Sequence, residues 1–130
     1  MTMVRPTAID ATPPPEMYDA LALVQRIGGA ALLDKVITLF RASAEDRRVK
    51  LAAAIRDGDL LQVSRLSHAM KGSAAQVGAE GLRAVAASLE KEIGVLDPPA
   101  IAERYEHVVD EIGTAVAQLE AYRATVAGAP

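Results

Sequence analysis

His68-Ala69-Met70-Lys71-Gly72 brings together an imidazole, an ammonium and a residue with no side chain. A neutral imidazole is a competent nucleophile near neutral pH. Its attack on an activated phosphoryl group would give a phosphoramidate, which a second acceptor can remove. Such a site must supply exposure, a charge to neutralise the phosphoryl oxygens, and room. At about 100° per residue, Val63, Leu66, Met70, Ala74 and Val77 fall within roughly 40° either side of Met70 and form a core face. His68 lies roughly 160° from Met70 and points into water. Lys71 and Gly72 stand at i+3 and i+4, and Ala75 and Ala79 continue the outward side with little bulk. Glycine inside a helix costs about 1 kcal/mol relative to alanine. A large body approaching His68 from that side would account for Gly72. An ordinary surface histidine beside an incidental glycine is the alternative.

Those residues need helices to hold them. The chain has 130 residues, 51% hydrophobic and 3% aromatic, which are helix-forming proportions sufficient for one domain and too short for two. Residues 1–12 show no periodicity and read as a flexible tail, leaving 13–127 as the helical domain. Pro13-Pro14-Pro15 suits the lead-in to a helix. Met17, Leu21, Val24 and Ile27 form a short first stripe, ended by Gly28-Gly29. A second helix follows from near Ala30, with Leu33, Val36, Ile37, Phe40, Ala44, Leu51 and Ile55 inward. Gly58 is placed to end it and Asp59 to cap the third, Leu60 to Val77. A turn through Ala79-Glu80-Gly81 leads to a fourth, with Leu82, Val85, Ala86, Leu89, Ile93 and Leu96 as its stripe. Glu90 lies about 100° from Leu89, at the stripe's edge, where it can reach back toward the third helix. Asp97-Pro98 starts the last helix, which buries Ile101, Tyr105, Val108, Ile112, Val116, Leu119 and Tyr122. His107 lies roughly 140° from Ile112 and reads as surface. The fold expected is all-α: an antiparallel up-down-up-down four-helix bundle with a short additional N-terminal helix.

His68-x-x-Lys71-Gly72-Ser73-Ala74, followed by Gly78-Ala79 and Leu82, resembles the signature of histidine phosphotransfer (HPt) domains. Leu89-Glu90 downstream, and Phe40, Leu51, Ile55 and Gly58-Asp59 upstream, extend the resemblance over roughly Leu21 to Leu96. It implies that His68 is the phosphoacceptor, Lys71 the phosphate-stabilising cation and Gly72 the clearance position. Glu90 matches a place where members carry Gln or Glu close to the histidine, and would orient the ring. Ser73 matches too, and a local helix hydrogen bond explains it equally well. The implied partner is a response-regulator receiver domain with an acceptor aspartate and its own Mg²⁺, or a hybrid sensor histidine kinase. The resemblance also favours a monomer.

Other classes fare worse. Cysteine is absent, so there is no disulfide framework or thiolate metal site, and a reducing cytoplasm is the expected location. Two outward histidines make no metal site in the bundle, and no cofactor is expected on this chain. A net charge of −3 argues against a nucleic-acid groove. No apolar run approaches the ~18 residues of a membrane span. No Walker loop or kinase glycine loop is visible, so the chain is expected to carry phosphoryl groups without generating them from ATP. A non-catalytic four-helix scaffold, with His68 incidental, is the competing reading.

Overall fold

The computed structural model describes residues 9–128. Among the described residues every regular element is an α-helix: α1 Pro15–Asp57, α2 Leu60–Val77, α3 Glu80–Glu92 and α4 Pro98–Ala127. Most boundaries have a local chemical cause. Pro15 opens α1 where a missing N–H costs no helical bond. Gly58 ends α1 in the left-handed region, φ 70°, a conformation glycine adopts without a Cβ clash. The Asp59 carboxylate then accepts the Gln62 N–H and caps α2. Asp97 caps α4 in the same way, accepting from Ala100, with Pro98 and Pro99 following.

Gly29 interrupts α1 with φ 69° and ψ −164°, neither of them helical, and kinks it between the expected first and second stripes. Helical conformation runs up to this kink and resumes after it, with the first stripe before Gly29 and the second beyond it. Met17 and Leu21 are fully buried, but Ile27 is 72% exposed, contrary to the stripe reading. Its angle explains this: ten residues on from Met17, it has drifted roughly 100° off the centre of the face that Met17 and Leu21 share.

The helices close into a ring of packed pairs: α1 on α2, α2 on α3, α3 on α4 and α4 on α1. Polar pairs stitch its rim. Arg123 reaches Asp34, Arg41 reaches Glu120 at 3.0 Å, and Arg48 reaches the Tyr105 hydroxyl at 3.4 Å, all between α1 and α4. Arg104 on α4 donates to Ser88 at 2.6 Å and to Glu92, both on α3. Inside lie Met17, Leu33, Ile37, Leu51, Val63, Met70, Leu82, Leu89, Val108 and Leu119, each almost wholly removed from water. Residues 1–8 of the expected tail lie outside the described residues. The Asp10 and Thr12 carbonyls accept from Gln118 on α4 at 3.4 and 3.1 Å.

The turn before α3 is tighter than the sequence reading placed it. Gly78 ends α2 at φ 71°, Ala79 is the N-cap, and Glu80 and Gly81 already belong to α3. A Cβ on Gly78 would strike the Glu16 carbonyl and the Met17 backbone nitrogen, so this glycine seats the start of α1 against the turn. Once Gly78 reverses the chain, the α2 periodicity no longer governs residue 79. Ala79 is accordingly buried, 2% exposed, and not on the outward side. At the far end α3 stops at Glu92, so Ile93 and Leu96 pack from the connection that follows.

Candidate functional site

α2 presents its core face as its pattern demands: Val63, Leu66, Met70, Ala74 and Val77 are buried, joined by Ser67, whose hydroxyl donates to the Val63 carbonyl at 2.7 Å. The opposite face is polar. Its ionisable residues are Arg65, His68 and Lys71, and α2 contains no Asp or Glu. The His68 side chain is 69% exposed.

α3 supplies the carboxylate that α2 lacks. Glu90 Oε2 lies 2.8 Å from His68 Nδ1, and Glu90 Oε1 accepts from Lys71 Nζ at 2.7 Å. One carboxylate therefore holds the imidazole and the ammonium together. Lys71, then His68, hold the Glu90 carboxyl below its ordinary value of 4.5 against the opposing effect of desolvation. Glu90 is thus ionised at neutral pH, and an ionised carboxylate can only accept. In the neutral ring the Nδ1 nitrogen must therefore carry the proton. Nε2 is left with its lone pair free, on the side of the ring turned away from Glu90.

Gly72 is exposed, and a Cβ built on it meets nothing within 4 Å. Packing within the chain gives no reason for a glycine there. Helical side chains lean toward the helix N-terminus, so any side chain at 72 would overhang the turn that bears His68. Ala75 continues the low-relief strip and is exposed. Ser73 accepts from Arg47 on α1 at 2.6 Å, a bond between helices in place of the local one considered from sequence. His107 is exposed on α4, with acids at i−4, i−1, i+3 and i+4.

One residue escaped the sequence reading. Arg65 is exposed at i−3 from His68, and among the described residues no ion pair or hydrogen bond engages it. Its helical spacing from His68 was the available signal.

The class these features define is an all-helical bundle bearing a surface histidine backed by a carboxylate. Residues 35–122 match the family model of the Hpt domain, a span that contains α2, α3 and all four residues His68, Lys71, Gly72 and Glu90. The chain belongs to the Hpt domain family. Hpt domains serve histidine phosphotransfer in two-component phosphorelays and interact with response-regulator receivers or kinases. No match is found among curated proteins or among solved structures. Among the described residues, no helix is long and apolar enough to cross a membrane.

Proposed function

We propose that this chain is a phosphorelay intermediate that accepts a phosphoryl group on His68 and exchanges it with the aspartate of a response-regulator receiver domain. A hybrid sensor histidine kinase is the other partner class in this reading, and the Mg²⁺ of the transfer belongs to the receiver. The observation that carries the reading is the Glu90 bridge, which accepts from Nδ1, keeps the ring proton there and leaves Nε2 as the nitrogen with a free lone pair.

Each residue has a role. His68 Nε2 attacks phosphorus as the bond from phosphorus to the aspartyl oxygen breaks, and the leaving carboxylate takes that electron pair. Glu90 keeps the Nδ1 proton and thereby stabilises the cationic phosphoimidazole that results. Lys71, a compact point charge on the same turn, draws on the phosphoryl oxygens. Gly72 leaves the partner's surface free to come down over the ring. The helices act as an up-down-up-down antiparallel bundle, with the segment before Gly29 as a short extra N-terminal helix laid against the α2–α3 turn. The protein works as a cytoplasmic monomer in this reading.

The test is incubation with an aspartyl-phosphorylated receiver. Wild type should acquire a label that is lost in acid and survives alkali, as an N–P bond does, and His68→Gln should acquire none. An alkali-labile label, or labelling of His68→Gln, would reject the reading.

A further inference from the structure

We propose that Arg65 is a catalytic residue of the transfer, binding the phosphoryl oxygens on the flank of His68 that faces away from Glu90. The inference rests on His68 being the phosphoacceptor and adds a residue to that site.

Nδ1 is turned toward Glu90 on α3, so Nε2, at the far end of the ring, points outward and is tilted toward the flank away from Glu90. Stepping about 100° per residue, Lys71 stands on the α3 side of His68, while Arg65 and Gly72 stand on the other. A phosphoryl group formed on Nε2 is therefore delivered toward Arg65. The lean of helical side chains adds to this. The imidazole of His68 lies over the turn N-terminal to its own Cα, the turn that contains Arg65. Residues at this spacing are surface neighbours, roughly 5–6 Å apart at Cβ.

Charge points the same way. Lys71 is tied at 2.7 Å to Glu90, which already matches its charge. Arg41, Arg48, Arg56, Arg83, Arg104 and Arg123 are each held by a carboxylate. Arg65 has no such partner among the described residues, and its own helix has no acid to offer. A phosphoryl group brings up to two negative charges beside it. The guanidinium fork can meet two phosphoryl oxygens at once, which the Lys71 ammonium cannot. During transfer the N–P bond forms from the Nε2 lone pair, and the donor's P–O bond breaks toward its carboxylate. The Nδ1 proton stays shared with Glu90. Arg65 donates to the equatorial oxygens throughout and exchanges no proton.

The experiment uses a small donor, phosphoramidate, so that docking of a protein partner plays no part. Wild type, Arg65→Ala, Arg65→Lys and a charge control, Lys35→Ala, are compared by ³¹P NMR for the rate of His68 phosphorylation and the lifetime of the phosphohistidine. Lys35 is exposed on α1 and no ion pair among the described residues engages it. Arg65→Ala should phosphorylate roughly tenfold more slowly and alter the lifetime, with Arg65→Lys in between and Lys35→Ala unchanged. Circular dichroism should be unchanged, since Arg65 is exposed and alanine is a good helix former. Equal rates and lifetimes for wild type and Arg65→Ala would overturn the role of Arg65 and leave His68 as acceptor. An equal deficit in Lys35→Ala would also overturn it, reducing the effect to net charge. A wild type that takes no label on His68 would bring down the relay reading and this inference together.

Discussion

His68 and His107 are both exposed imidazoles on long helices of one bundle, yet their surroundings differ in kind. His107 stands on α4 among Glu103, Glu106, Asp110 and Glu111, which would repel an arriving phosphoryl group. His68 stands on a helix with two cations and no acid. The carboxylate it uses comes from a different helix, and reaches Nδ1 from one side only. In the proposed relay, the difference teaches that exposure alone would not make a nucleophile. What distinguishes His68 is that its acid lies behind the ring, where it fixes the proton, and its cations lie beside it.

The sharpest way to break that comparison is to exchange the histidines' fates. His68→Gln should abolish transfer from a phosphorylated receiver, while His107→Gln should transfer at the wild-type rate, as read by gel autoradiography. Next in size is Gly72→Leu. It should slow receiver-driven transfer by about a hundredfold, because a side chain there overhangs the ring and displaces the partner. Stability should rise by somewhat under ~1 kcal/mol in urea unfolding, since leucine outranks glycine in a helix. Transfer by Gly72→Leu at the wild-type rate would remove the clearance argument.

Smaller effects should follow from loosening the bridge. Glu90→Ala should slow phosphorylation about tenfold by freeing the ring and its tautomer, and Glu90→Gln less, because an amide oxygen still accepts from Nδ1. Lys71→Ala should slow transfer and change the phosphohistidine lifetime, both measurable by quenched time courses. The smallest effect concerns pH. Lys71 and His68 lower the Glu90 carboxyl from 4.5, so the bridge's contribution to stability is fully present above pH 4.5. That contribution should fade as the pH falls through the lowered folded value. Denaturation midpoints of wild type and Glu90→Gln should therefore differ at neutral pH and converge in acid.

Much of this was legible in the residues themselves, and the pattern of what was not is physical. The α2 stripe, the Asp59 and Asp97 caps and the exposure of His68 follow from local spacing and local hydrogen bonds. Glu90 was legible because its angle on α3 brought it to the edge of the α2 contact. Ala79 lies beyond the reversal at Gly78, where the α2 period no longer applies, whereas Ile27 obeys the helical period and is carried by it off the face of Met17 and Leu21. The Arg47–Ser73 bond and the seat of α1 against Gly78 join residues far apart in the chain, and no local rule contains them.

The most direct test is to locate the phosphoryl group within the ring. Protein carrying ¹⁵N in its imidazoles, phosphorylated by a receiver and read by ¹⁵N and ³¹P NMR, reports which nitrogen bears phosphorus and which keeps its proton. The account predicts phosphorus on Nε2 of His68 with the proton retained on Nδ1. Phosphorus on Nδ1, or on His107, would contradict it.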